Sequence, residues 1–136
     1  MGNNLNFAAD EFKIVNHRGD ETSAGSGLVL FNGGTVCDDD FNDDAAAAIC
    51  KKMGYDGSHA DWSVLKKDDG STYGTFAWSI QNTYDIKLDE LDCSGPNWKE
   101  CTFRHESHDC SHYEDVFLSC TGKFYVLDSV LLQITR

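Results

Sequence analysis

Six cysteines restrict the folds open to this chain: Cys37, Cys50, Cys93, Cys101, Cys110 and Cys120. No two of them form a C-x-x-C pair, which argues against a zinc ribbon and against a thioredoxin-type redox motif. An even number of cysteines in a chain of 136 residues favours three disulfides formed in an oxidising, extracellular compartment. Six cysteines allow fifteen pairings, and counting alone does not choose among them.

The length and the charge of the chain limit the kinds of function that it can have. A chain of 136 residues is long enough for one domain. Its 23 acidic against 11 basic residues give a net charge of −12, which repels phosphate backbones and excludes nucleic acid as a partner. No apolar run reaches the roughly 18–20 residues that membrane insertion needs. Residues 1–10 also lack the apolar stretch of a secretory signal peptide, so the extracellular expectation rests on the cysteines.

Local patterns predict a hairpin and a helix after a flexible lead-in at residues 1–11. Leu28–Phe31 and Thr35–Cys37 flank Asn32-Gly33-Gly34, a turn signal that joins two antiparallel strands. A short helix follows. Asn42 or Asp43 can cap its N-terminus, and Gly54 can end it.

The rest of the chain is predicted more coarsely. Two aromatic-bearing pieces, Trp62–Leu65 and Tyr73–Ile80, are expected to form strands, and Val116–Leu118 is expected to form the last strand of the domain. Residues 122–136 are interpreted as a C-terminal extension or as the start of a neighbouring domain.

Residues 38–44, Asp-Asp-Asp-Phe-Asn-Asp-Asp, place five carboxylates within seven positions. Hard oxygen ligands of this kind suit Ca²⁺, with Mg²⁺ as the alternative. The segment is not an EF-hand, because Asp43 replaces the turn glycine and Ile49 occupies the twelfth position. A solvated helix N-terminus that binds no ion is the competing interpretation.

A second cluster, residues 105–115, contains three histidines beside Cys110. It raises the alternative of a zinc site and a metal-dependent hydrolase. The spacing follows no standard zinc pattern. A disulfide-bonded Cys110 could not supply a thiolate either, which argues against a Cys/His enzyme.

Several ordered motifs resemble the scavenger receptor cysteine-rich (SRCR) domain. They are Gly34-Thr35-Val36-Cys37-Asp38-Asp39, then Asp44-Ala45 leading to Ile49-Cys50, then Met53-Gly54-Tyr55, then Leu88-Asp89-Glu90-Leu91 before Cys93, and finally His108 to Asp115, which is similar to the family's H-x-C-x-H-x-E-D. The resemblance covers residues 12–121. It implies an α+β fold in which a curved antiparallel sheet cradles one main helix and long loops are tied by disulfides.

The resemblance also implies a pairing and a cation site. Tyr55 stands where eight-cysteine members carry a further cysteine, so the six-cysteine subgroup is implied, with pairs Cys37–Cys110, Cys50–Cys120 and Cys93–Cys101. The implied cation ligands are Asp38, Asp39 and Glu114, and the implied Cys37–Cys110 bridge would bring their two segments together. A second site would use Asp89, with Asp44 as its candidate neighbour and Asn97 as a further contributor.

Two departures from the family pattern affect the interpretation. The segment between Cys50 and Cys93 is longer than is typical, which places an insertion near residues 58–83, where long loops are often functional. Some members bind polyanions through arginine clusters, but this chain has only Arg18, Arg104 and Arg136, so that binding mode is not transferred.

The predicted function is therefore extracellular recognition or adhesion without catalysis. A bound Ca²⁺ would hold an anionic group of a protein or glycan ligand, and the domain would be part of a larger multidomain protein. A structural spacer domain and the metal-dependent hydrolase are the alternatives. Arg18-Gly19-Asp20 is in addition an integrin-type tripeptide on a predicted loop, a pattern that also arises by chance.

Overall fold

The computed structural model describes residues 10–16, 18–64, 81–104 and 110–121. Within these ranges the chain forms seven strands and one α-helix: β1 Phe12–Val15, β2 Ser26–Phe31, β3 Gly34–Val36, α1 Asp43–Lys52, β4 Asp61–Val64, β5 Ile86–Cys93, β6 Cys101–Arg104 and β7 Val116–Ser119. Short 3-10 turns lie at Trp98–Glu100 and His112–Glu114. Most of the predicted lead-in, the predicted strand at 73–80 and the extension 122–136 lie outside the described residues.

The strands form one curled mixed sheet in the order β4-β7-β2-β3-β5-β6, with β1 paired to β2. The predicted α+β class is confirmed, but the sheet is not antiparallel throughout, because β3 and β5 run parallel. Parallel neighbours need a long crossover connection, and here that connection contains α1 and β4. Strand β7 lies between β4 and β2, so the last strand of the described fold is an interior one.

The predicted hairpin joins β2 and β3. Asn32 and Gly33 form its two-residue turn with φ of 50° and 89°. Two successive positive φ angles match the right-handed twist of the flanking strands, and Asn-Gly tolerates them well. The turn sets the register, in which Leu30 lies opposite Thr35 and Phe31 opposite Gly34.

Helix α1 begins and ends as its sequence predicts. The Asn42 side chain accepts a hydrogen bond from the Ala45 amide at 2.8 Å, which satisfies one of the free N–H groups of the first turn. Gly54, with φ of 103°, follows the C-terminal residue Met53. The inward face buries Ala45, Ala48, Ile49 and Cys50 completely. Within the described residues, no helix is long and apolar enough to cross a membrane.

All six cysteines are in disulfides: Cys37–Cys110, Cys50–Cys120 and Cys93–Cys101. These are the pairs that the resemblance implies. In the chain-entropy account, each long bridge contributes about 4 kcal/mol and the short one about 2.5 kcal/mol. Cys50–Cys120 ties α1 to the end of β7, and Cys93–Cys101 ties β5 to β6. The third bridge reaches the acidic loops.

Candidate cation site

Three segments meet where β3 ends. The Cys37 amide donates to the Leu88 carbonyl of β5 at 2.8 Å, and the Asp38 amide donates to the Glu114 carbonyl at 3.0 Å. Cys37 also forms an isolated bridge with Asp115. Backbone hydrogen bonds therefore hold the first aspartates, the strand that carries Asp89 and the loop that carries Glu114 in contact.

The Cys37–Cys110 disulfide lies at the centre of this meeting point, with carboxylates around both sulfurs. Cys37 Sγ lies 4.0 Å from Asp38 Oδ1 and 3.9 Å from Glu114 Oε1. Cys110 Sγ lies 3.7 Å from Asp39 Oδ2 and 3.2 Å from Asp89 Oδ1. A disulfide sulfur has no proton to donate, so these contacts are not hydrogen bonds from the cysteines.

Asp38, Asp39 and Glu114 form the acidic group with three carboxylates, which we call the cation site. One carboxylate oxygen from each lies, together with Cys37 Sγ, within 4.8 Å of the others. All three side chains are half-buried. Ca²⁺ prefers six to eight oxygen ligands at roughly 2.3–2.6 Å, so three carboxylates would leave several coordination positions for water or for a ligand.

Asp89 lies on the other side of the disulfide. It groups with Asp39 and the two cysteine sulfurs, and its side chain is almost fully buried. Among the described residues, neither acidic group includes Asp44, which is exposed on the first turn of α1. The Asn97 side chain accepts a hydrogen bond from Lys51 Nζ at 2.7 Å. The structure therefore brings Asp89 to Asp39 and not to its expected neighbour Asp44.

Two non-glycine residues with positive φ flank the acidic side chains. Asp40, directly after Asp38 and Asp39, has φ of 63°, and Glu90, directly after Asp89, has φ of 54°. Glu90 lies where the register between β5 and β6 shifts, between Asp89 and Asp92. Backbone in this region is costly for residues with a Cβ and is concentrated at functional sites.

The 3-10 turn His112–Glu114 orients the third carboxylate. The Ser111 amide donates to Glu114 Oε1 at 2.9 Å, and the Glu114 amide donates to the Ser111 carbonyl at 2.9 Å. The side chain therefore folds back over its own turn, which fixes it on the side of the disulfide.

Asp115, the next residue, is fully buried and faces the interior. Its Oδ2 accepts from Gln81 Nε2 at 2.9 Å and contacts His112 Nδ1 at 2.8 Å. Burial raises the pKa of the Asp115 carboxyl, while the hydrogen bonds from Gln81 and His112 act in the opposite direction. Gln81 Nε2 also lies 3.2 Å from the His112 carbonyl, so one amide holds both ends of the turn before β7.

Sequence reasoning missed this inner group. Asp115 carried a weak signal, since it directly precedes the apolar run of β7. Gln81, near the end of the predicted insertion, carried none. The histidine cluster instead raised the alternative of a zinc site, which its spacing argues against. His112 bonds Asp115, His105 and His108 lie outside the described residues, and Cys110 has no thiol because it is in a disulfide.

Comparison with known proteins gives a consistent family assignment. The sequence pattern of the scavenger receptor cysteine-rich domain matches residues 18–121. The chain is 34% identical to chicken (Gallus gallus) lysyl oxidase homolog 2 over 75% of its length and 12% of that protein. It is 32% identical to mouse (Mus musculus) CD5 antigen-like over 82% of its length and 30% of that protein.

A solved structure supports the fold. The third SRCR domain of murine neurotrypsin superposes with a TM-score of 0.57 at 24% identity, covering 86% of this chain and all of that one. The chain thus spans a whole domain of that structure but only a small part of the two longer relatives. On the family match over residues 18–121, the chain belongs to the scavenger receptor cysteine-rich domain family.

Proposed function

We propose that this domain is an extracellular ligand-recognition module that binds Ca²⁺ at Asp38, Asp39 and Glu114 and, through the ion, an anionic group of a protein or glycan. Domains of this family are ligand-binding modules of extracellular proteins, and the matched relatives are much longer than this chain. The domain is accordingly proposed to act within a larger multidomain protein.

The observation that carries the proposal is the convergence of three half-buried carboxylates on one disulfide. Like charges within 4.8 Å of one another repel, and partial burial strengthens the repulsion because it lowers the effective dielectric constant. A bound divalent cation attracts all three carboxylates and so offsets the repulsion among them. It also reverses the local field, so that a domain with a net charge of −12 can attract an anionic group at one place.

Asp89, on the buried side of the disulfide, has a separate role. We assign Asp89 to strengthening the negative potential at the cation site through Asp39, because its own group contains only two carboxylates and two sulfurs that cannot act as thiolates. Two carboxylates alone are a poor Ca²⁺ site. The described residues are then proposed to bind a single ion.

Titration calorimetry on chelator-treated protein tests the proposal. The wild-type domain should bind one Ca²⁺, and Glu114→Gln and Asp39→Asn should each lose most of the heat. Asp92→Asn, an exposed carboxylate on β5, is the matched control and should bind as the wild type does. A hundredfold excess of Ca²⁺ over Kd should stabilise the fold by about 2.7 kcal/mol.

Two results would reject the proposal. If the wild-type domain gives no binding heat and no shift in melting temperature with Ca²⁺, the acidic loops are a solvated surface and the structural spacer is the better interpretation. Binding of Mg²⁺ at the same affinity would contradict the choice of ion, since Mg²⁺ demands a tighter octahedral site. Where Ca²⁺ binds, a glycan and protein array probed in Ca²⁺ and in EDTA, with Glu114→Gln beside the wild type, tests whether the ion carries the ligand.

A further inference from the structure

The loop that joins β1 to β2 presents the tripeptide Arg18-Gly19-Asp20 on a closed turn. Val15 and Glu21 form an isolated antiparallel bridge at the base of the loop. One step further out, the Asn16 amide donates to the Asp20 carbonyl at 2.9 Å. The tripeptide therefore leaves and re-enters the sheet at fixed points.

Asn16 bonds the backbone N–H of all three tripeptide residues. Its side-chain Oδ1 accepts from the Arg18 amide at 2.9 Å and from the Asp20 amide at 3.1 Å. Its carbonyl accepts from the Gly19 amide at 2.8 Å. Gly19 has φ of 85°, a conformation that glycine adopts without strain. The backbone of Arg18, Gly19 and Asp20 is thus held in place before any partner arrives, which lowers the entropy lost on binding.

The two charged side chains project into solvent. The side chain of Arg18 is 70% exposed and that of Asp20 is 72% exposed. Arg18 Nε and Asp20 Oδ2 lie 3.9 Å apart, and an exposed ion pair at this distance contributes little to stability. A partner can therefore separate the two groups at small cost and engage each of them.

We propose that this turn is a docking site for an adhesion receptor of the integrin class. The Asp20 carboxylate would complete the coordination of a divalent cation held by the receptor, for which a carboxylate oxygen is a suitable ligand. The Arg18 guanidinium would pair with receptor carboxylates, whose geometry its planar fork matches. This site shares no residue with the cation site of Asp38, Asp39 and Glu114, and its cation belongs to the receptor.

Surface plasmon resonance against a panel of purified integrin ectodomains that recognise linear Arg-Gly-Asp peptides, in Mn²⁺, tests the proposal. The wild-type domain should bind at least one of them, and a soluble Arg-Gly-Asp peptide should compete. Asp20→Glu keeps the charge but moves the carboxylate, and it should weaken binding at least about tenfold. Asp92→Glu, the same change on β5, should have no effect. Absence of wild-type binding to every ectodomain, or equal binding by Asp20→Glu, would overturn the proposal.

A second variant separates the ordered turn from the bare tripeptide. Asn16→Ala leaves Arg18, Gly19 and Asp20 unchanged but removes the hydrogen bonds that Asn16 Oδ1 accepts from the Arg18 and Asp20 amides. It should weaken receptor binding several-fold, while its melting temperature should show that the domain is still folded. Glu114→Gln should bind the receptor as the wild type does even though it loses Ca²⁺ heat. Failure of the Ca²⁺ proposal would thus leave this one standing, and the reverse also holds.

Discussion

Glu90 takes a backbone conformation that the residue type does not favour, with φ of 54° between two stretches of regular β5–β6 pairing. Its side chain adds only a half-exposed contact with Arg104 Nε at 3.6 Å, which contributes little. The conformation is therefore maintained by the strand pairing around it. The positive φ of Glu90 occurs at the register shift that directly follows the buried Asp89.

We predict that glycine stabilises the domain relative to alanine at position 90, the reverse of the usual order within a strand. Both variants lose the Arg104 contact, so their difference isolates the backbone, and Glu90→Gly should be more stable than Glu90→Ala by about 1 kcal/mol. Urea unfolding measures it. The same pair at Lys87, in β5 with ordinary φ, should show alanine ahead. If Glu90→Ala were as stable as Glu90→Gly or more stable, the backbone at position 90 would not be strained.

At the scale of single residues, sequence reasoning named Asp38, Asp39 and Glu114, which the structure brings together, but it did not predict the approach of Asp89 to Asp39. Asp38, Asp39 and Glu114 were named because they match motifs on either side of a bridge. The contact of Asp89 with Asp39, in place of Asp44, depends on the parallel pairing of β3 with β5. Because those strands lie far apart in the sequence, no local pattern predicts their register.

Among the elements, a buried amide connects the chain before β5 to the turn before β7. Gln81 is fully buried and donates both to Asp115 and to the His112 carbonyl. Leu in its place would leave the Asp115 carboxylate with one fewer donor in a buried position. Since an unsatisfied buried polar group costs about 1–3 kcal/mol, Gln81→Leu should lower the free energy of unfolding by that amount.

Chemical denaturation checks this prediction, with Asp85→Asn, an exposed change four residues after Gln81, as the control whose free energy of unfolding should stay near that of the wild type. Because the same amide steadies the turn that carries Glu114, Gln81→Leu should also weaken Ca²⁺ binding in calorimetry. Full stability in Gln81→Leu would show that other contacts hold the turn before β7.

The two long disulfides close loops of nearly equal size, with sequence separations of 73 and 70 residues. Loop-closure entropy gives each about 4 kcal/mol. The paired variants Cys37→Ala/Cys110→Ala and Cys50→Ala/Cys120→Ala should therefore lose similar stability. Only the first pair should lose Ca²⁺ affinity, because only that bridge lies among the carboxylates.

Urea unfolding and calorimetry on the same four-cysteine proteins, below their melting temperatures, make the comparison direct. Equal loss of Ca²⁺ binding in both pairs would mean that the bridge acts through overall stability and not through the site.

Element prediction succeeded where the signal is local. The hairpin follows from Asn32-Gly33 and the helix from Asn42, its alanines and Gly54, all of which act within a few residues. The mixed sheet does not follow from such signals, since pairing of β3 with β5 and insertion of β7 between β2 and β4 join distant segments. The disulfide pairs came from family motifs, because cysteine counting leaves fifteen choices.

For the whole molecule, the net charge of −12 opposes compaction through self-repulsion. In EDTA, raising NaCl should raise the melting temperature, because the Debye length falls from about 30 Å at 0.01 M to about 10 Å at 0.1 M. Ca²⁺ at matched ionic strength should raise it further, and Glu114→Gln should abolish only that extra increment. Differential scanning calorimetry separates the two. A melting temperature that falls with NaCl in EDTA would show that attractive charge pairs dominate the surface.

The interior position of β7 has a consequence for biosynthesis. Strands β2 and β4 leave the ribosome well before residues 116–119, yet each pairs with that late strand. Two of the three disulfides likewise wait for Cys110 and Cys120. The nascent chain must therefore keep apolar strand edges and reduced thiols until nearly all of the domain has emerged. This favours folding only after the whole domain has left the ribosome, with disulfide-forming enzymes and chaperones protecting the incomplete sheet until then.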